Sequence, residues 1–268
     1  MSALSRMNPM RRFRSSANKP EASTEVRGAA PMAQGEGEQT LMQACEQGDL
    51  AGAQRAYRAG AQDAIRAKNE YGETCMHLAC QSGNLQVARW LYVAGAAEDV
   101  HALSNDGDTC MLLSSLGGHL GVCQWLYEAG CKGEVTAPNA HGNNPLHFAC
   151  RQGQLEVAAW LLSVLEVPHQ VACVTQNKQA NTPMHFACRG GHLEVCEWLF
   201  SKGAGQDCRT PNAYGWTPMH SAHWKSHAHI TNWLMTDEVR CLVWARVVFV
   251  LSVQRSNDVL VLSLTLPS

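Results

Sequence analysis

Charge, phosphate-binding loops and long hydrophobic runs are what this chain has least of, and each shortage removes a class of function. Lysine, arginine, aspartate and glutamate make up only 16% of the 268 residues, and the formal net charge is -2. The body of the chain has no basic footprint, so nucleic acid is not an expected partner. The longest apolar run, Cys241 to Val253, is too short to cross a bilayer and contains Arg246. No secretory signal peptide is legible, and a membrane is not expected as a partner either. Neither G-x-G-x-x-G nor G-x-x-x-x-G-K-[ST] occurs, which removes the common nucleotide cradles. Twelve cysteines are present but no C-x-x-C pair is, so the usual zinc and dithiol spacings are missing.

What is present is a beat. Trp90, Trp125, Trp160, Trp198 and Trp233 recur at intervals of 35, 35, 38 and 35 residues. His77, His147, His185 and His220 keep the same register, with Leu112 in the missing slot. Gly48, Gly83, Gly118, Gly153 and Gly191 keep it too. A fixed period of this length is the signature of a stacked repeat. The cysteines follow it as well. Cys45, Cys80, Cys150 and Cys188 share one slot with Ser115, Cys123 and Cys196 share another, and Cys75 and Cys110 a third. A slot that takes Cys or Ser suits a small buried side chain. The thiols therefore read as reduced and structural, and the compartment as cytoplasmic or nuclear.

Each unit has one grammar. Thr74 caps a short helix over Cys75 to Gln81, and Gly83 follows where a left-handed residue ends a helix cheaply. A second helix starts near Leu85. Val87, Trp90, Leu91 and Ala94 then form one apolar stripe at i, i+3, i+4, i+7, and Gly95 stops it. Val122, Trp125, Leu126 and Ala129 repeat the stripe. Pro145, Pro183 and Pro218 occupy first helical positions, preceded by the caps Asn144, Thr182 and Thr217. Between units, Tyr-Gly and Asp-Gly pairs mark turns.

Thr182-Pro183-Met184-His185-Phe186-Ala187-Cys188, followed by Gly191-His192-Leu193-Glu194-Val195, resembles the ankyrin repeat. Pro145-Leu146-His147-Phe148-Ala149 and Gly118-His119-Leu120 match the same pattern. The resemblance implies an all-α solenoid of about six helix–turn–helix units joined by β-hairpin-like fingers. Units are expected at about 35–68, 69–103, 104–138, 139–176, 177–211 and 212–236. It also implies that His77, His147, His185 and His220 are structural, tying neighbouring fingers and helices. Trp90, Trp125, Trp160, Trp198 and Trp233 stand where the family usually has Leu or Ile, so wider or tilted helix pairs are expected. Three extra residues in the fourth unit are placed in a loop around Pro168, and Ser226 and Ala228 mark the sixth unit as a degraded end repeat.

Outside the array, residues 1–34 read as a disordered basic tail, with a mitochondrial presequence as the other reading. Residues 237–268 break the rhythm. They read as an apolar extension: a hairpin over the last repeat, an unfolded end, or the product of a misplaced gene boundary.

Chemistry has two candidate places. His77 with Cys80, His147 with Cys150 and His185 with Cys188 stand at i, i+3, the spacing of a Cys–His dyad, but a threefold dyad fits packing better than catalysis. His220, His223, His227 and His229 cluster in the sixth unit and read as exposed rather than metal-bound. No catalytic, cofactor-binding or metal-binding residue is expected, no cofactor and no small-molecule substrate.

The resemblance places partner binding on finger tips and on the exposed face of each first helix, the concave side of such arrays. The candidates are Glu70, Tyr71, Glu73 and Gln81, then Asp106 and Asp108, then His141 and Arg151. The fifth unit adds Lys178, Gln179 and Arg189, and the sixth Tyr214, Trp216, Trp224 and Lys225. Acids come early and bases late, so the face is expected to be polarised. A partner segment would then be basic near the second and third units and acidic or apolar near the sixth. The expected function is a non-catalytic protein–protein interaction module, an adaptor or scaffold. The alternative is a regulatory or targeting subunit of an enzyme held by another chain.

Overall fold

The computed structural model describes residues 34–165 and 172–236. The basic tail, the loop around Pro168 and the apolar extension fall almost wholly outside the described residues. Within them the chain forms helices in six consecutive pairs. These are α1 (Gln34–Gln47) with α2 (Leu50–Arg58), α3 (Cys75–Gln81) with α4 (Leu85–Leu91), and α5 (Cys110–Gly117) with α6 (Leu120–Glu128). Then follow α7 (Pro145–Arg151) with α8 (Leu155–Ser163), α9 (Pro183–Gly190) with α10 (Leu193–Ser201), and α11 (Pro218–Trp224) with α12 (Ala228–Leu234).

First helices pack on first helices in chain order, α1 through α11, and α2, α4, α6 and α8 pack in the same order beside them. Helices this short are marginal alone in water, so packing must hold them. Val87, Leu91, Val122, Leu126, Val157, Leu161, Val195, Leu199, Ile230 and Leu234 turn the stripes of the second helices inward. Met76, Met111, Leu146 and Met184 meet them from the first helices, and all are buried. Each such side chain contributes about 1.5–3 kcal/mol by burial.

The sharp turn inside each pair needs a left-handed residue. Gly48, Gly83, Gly118, Gly153 and Gly191 supply it with φ between 75° and 87°, while Ser226 holds φ 60° in the sixth pair. A Cβ at Gly83 would run into the His119 ring of the next unit. That glycine therefore serves close packing as well as backbone freedom.

Trp90, Trp125, Trp160, Trp198 and Trp233 lie half-buried against the outer side of the core. Four of them take the edge of an aromatic ring from the preceding unit. Tyr57–Trp90, Tyr92–Trp125, Tyr127–Trp160 and Phe200–Trp233 have centroids 5.6, 5.9, 5.9 and 5.8 Å apart, nearly perpendicular. The rings thus link the outer sides of neighbouring units.

The fingers between units are tight turns. No strand occurs among the described residues, but backbone bonds link successive fingers. Asn105 N donates to Tyr71 O at 2.9 Å, Ala140 N to Asp106 O at 2.9 Å, Lys178 N to His141 O at 3.1 Å and Ala213 N to Gln179 O at 2.9 Å.

Candidate functional site

Both ring nitrogens of His77, His147 and His185 are engaged. Thr74 N donates to His77 Nδ1 at 3.2 Å, which fixes the proton on Nε2, and Nε2 donates to Asp108 O of the next finger at 3.2 Å. His185 repeats the arrangement, taking Thr182 N at 3.2 Å and reaching Trp216 O at 3.0 Å. His147 Nε2 reaches Asn181 O at 3.2 Å. These rings are buried, whereas His220 bonds Thr217 and is exposed. Burial holds the pKa of His77, His147 and His185 below the ordinary histidine value, His147 at about 4. A ring held neutral, with both nitrogens spent, has no free nitrogen to take a thiol proton.

The thiols agree. Cys80, Cys150 and Cys188 are fully buried, and the described cysteines are free thiols. Burial raises the pKa of Cys150, and a bond to Cys196 with burial raises that of Cys188. Thiols held in the neutral form are poor nucleophiles. In the sixth unit, His227 and His229 spend Nε2 on Arg189 O and Gly191 O at 3.2 and 3.0 Å.

A second set of ties, missed from the sequence, runs the other way. His119 Nε2 reaches back to Gln81 O at 3.0 Å and His192 Nε2 to Arg151 O at 3.1 Å. Asn84 Nδ2 takes the same role toward Cys45 O at 3.4 Å. The signal was present in the recurring Gly-His-Leu. The direction in which the side chain reaches was not.

Among the partner candidates, the structure separates tips from latches. Glu73 is only 6% exposed, and its Oε2 accepts from Asn69 Nδ2 at 2.9 Å inside its own finger. Asp108 is half-buried, and its Oδ1 accepts from Asn139 Nδ2 of the next finger at 2.7 Å. The same slot carries Asn143 and Asn181, which accept from Asn177 and Asn212 at 2.8 Å each. Glu73 and Asp108 therefore build the fingers. The slot faces an asparagine side chain within the finger array, so these two carboxylates serve the fingers themselves. Burial raises the pKa of Asp108.

Glu70, Tyr71, Asp106, His141, Lys178, Tyr214, Trp216, Trp224 and Lys225 are exposed, and Gln81, Gln179, Arg151 and Arg189 are half-exposed. Tyr214 and Trp224 are open by 68% and 66%, and the rings of Trp216 and Trp224 lie 5.5 Å apart. Asp106 Oδ1 lies 3.9 Å from His141 Nε2. Arg151 and Arg189 occupy the same slot of adjacent first helices. Burial first, then the charge of Arg189, holds Arg151 below the usual guanidinium value. Among the described residues, no carboxylate forms a salt bridge with Arg151, Arg189, Lys178 or Lys225.

Stacked helix pairs with linked fingers, and an exposed face made of tips and first helices, define a helical repeat array of the binding type. Family models described as ankyrin repeats (many copies) match residues 41–92 and 169–222, and one described as ankyrin repeats (3 copies) matches residues 92–171. The chain belongs to the ankyrin-repeat family. A search of curated proteins finds no match. Ankyrin repeats are generally protein-interaction modules, and no helix among the described residues is long and apolar enough to cross a membrane.

Proposed function

We propose that this chain is a non-catalytic adaptor or scaffold of the cytoplasm or nucleus, which holds a protein segment against its finger tips and first helices. The observation that carries this reading is the cationic pair Arg151 and Arg189, whose slot Trp224 fills in the next unit with Trp216 against it. Two half-buried guanidinium groups without a carboxylate suit an external anion better than solvent. Exposed Trp and Tyr are the residue types that anchor interfaces. Glu73 and Asp108 are spent within the fingers, so the acidic half of the polarised face shrinks to Glu70 and Asp106. The partner is therefore best read as an acidic segment bearing an apolar or aromatic side chain.

The test is selection of peptides from a random library on the full-length chain. Selected sequences should be enriched in acids next to aromatics, and their affinity should fall as salt rises. Replacement of both Arg151 and Arg189 by Glu should abolish binding while the far-ultraviolet circular dichroism stays unchanged. Selection without acid enrichment, or binding indifferent to the double replacement, would overturn the reading.

A further inference from the structure

The linkers that follow the second helices carry a cross-unit pair. In the first joint Arg66 Nε meets Asp99 Oδ1 at 3.1 Å, and Ala96 fills a small buried slot beside them. One repeat later, 35 residues on at each position, His101 replaces Arg66, Cys131 replaces Ala96 and Glu134 replaces Asp99. All three slots change together, and each takes a residue type that ligates zinc.

The geometry converges. Glu134 Oε1 lies 2.7 Å from His101 Nδ1, and Cys131 Sγ lies 3.8 Å from the same nitrogen. The three donor atoms are mutually within 4.8 Å. A catalytic triad would use the two nitrogens of the ring for different partners. Here carboxylate and thiol face one nitrogen, as ligands around a shared centre do. Tetrahedral zinc, with arms of about 2.3 Å to sulfur and 2.0–2.2 Å to nitrogen or oxygen, separates its donors by roughly 3.3–3.7 Å. The Sγ to Nδ1 distance nearly fits already, and the closer carboxylate must move away from the ring by about 0.6 Å. The other carboxylate oxygen, Glu134 Oε2, is buried without a hydrogen-bond partner. Cys131 is buried while His101 is exposed, which leaves one side open for a fourth ligand.

We propose that His101, Cys131 and Glu134 form a zinc-class site, with water at the fourth position, that staples the linker Ala97–His101 to the linker Cys131–Val135. On binding, the Cys131 thiol gives its proton to solvent and forms the metal–sulfur bond. The proton held between His101 Nδ1 and Glu134 Oε1 leaves through solvent, and the neutral ring keeps or regains one on Nε2, so that Nδ1 and Oε1 both ligate. The second joint is thereby metal-dependent where its predecessor uses a permanent ion pair.

Cobalt(II) is the probe, added to the reduced, chelator-treated full-length chain. One equivalent should produce a thiolate-to-cobalt charge-transfer band with tetrahedral ligand-field bands, and zinc should displace it. Cys131→Ala and His101→Arg are suitable variants because the preceding joint folds with Ala96 and Arg66 in those slots. Each should keep the wild-type circular dichroism and weaken cobalt binding at least ~100-fold, since loss of a ligand exceeds loss of an outer-shell partner. An unchanged spectrum on adding cobalt to the wild type would overturn the proposal, as would a charge-transfer band that survives both substitutions.

Discussion

At the scale of single residues, the array shows where one side chain departs from what its slot demands. The fourth position of each finger is left-handed, and Gly72, Gly107, Gly142 and Gly215 hold it with φ from 73° to 79°. Ala180 holds the same position at φ 58°. An L-residue there costs about 1–2 kcal/mol, partly offset because alanine is less free than glycine when unfolded. Ala180→Gly should therefore raise stability by roughly 0.5–1 kcal/mol, seen as a higher midpoint in thermal or urea unfolding. Gly142→Ala should lower it, since the new Cβ would stand 2.7 Å from Lys178 N. If Ala180→Gly lowers the midpoint, the strain argument fails. Asp207 is the second departure. It stands where Asp99 and Glu134 stand, but Val174 occupies the place of Arg66 and His101. Burial pushes its pKa up to about 6, against the pull of Thr182 and Thr210. A carboxyl group whose folded pKa exceeds its unfolded value weakens the fold above about 6, and that cost vanishes as pH falls below the unfolded pKa. At neutral pH, Asp207→Asn should thus stabilise by roughly 1–3 kcal/mol and by nothing near pH 4, read from urea unfolding at the two pH values.

At the scale of elements, the joints between units draw on one set of parallel ties: histidine forward, Gly-His-Leu side chain backward, aromatic edge outside. The joint between α8 and α10 lacks the aromatic edge, because Leu162 stands where Tyr92, Tyr127 and Phe200 stand elsewhere. A double-mutant cycle with Tyr92→Leu and Trp125→Leu should return a coupling of about 0.5–1.5 kcal/mol in unfolding free energy. Additive effects would show that the two rings are packed near each other without interacting. Much of this scale was legible beforehand. Periodic Trp, His and Gly gave the helix pairs, the stripe and the turn glycines, because those depend on spacing along one helix. The finger latch was not legible. Whether Glu73 and Asp108 face solvent or the neighbouring finger depends on how two units sit side by side, and no spacing within a unit encodes that. His101, Cys131 and Glu134 escaped for the same reason: their ligand pattern is split across two linkers about 30 residues apart. Arg151 and Arg189 were found as face residues, but their lack of a carboxylate required the surrounding side chains.

At the scale of the whole array, stability is shared between neighbours, so a change in one joint is felt along the stack. The buried histidines make that stability pH-dependent. His147 titrates near 6.5 when unfolded and at about 4 in the fold, because burial penalises its charged form. Between those values the unfolded chain binds the extra proton. Stability is therefore fully present above about 6.5 and is lost as pH falls toward about 4, by up to roughly 3 kcal/mol from this ring alone. His77 and His185 are shifted in the same direction and add to the slope, while Asp207 opposes it. Urea unfolding of the wild type should accordingly show a lower free energy at pH 5 than at pH 7. The contribution of one ring can be isolated, because the third unit already tolerates Leu112 in the histidine slot and buries it fully. His147→Leu should be less stable than the wild type at pH 7, having lost the bond to Asn181 O, yet should lose less on acidification. A variant whose free energy falls with pH as steeply as the wild type's would show that the slope originates in other groups, and that this ring takes up its proton equally in the folded and the unfolded chain.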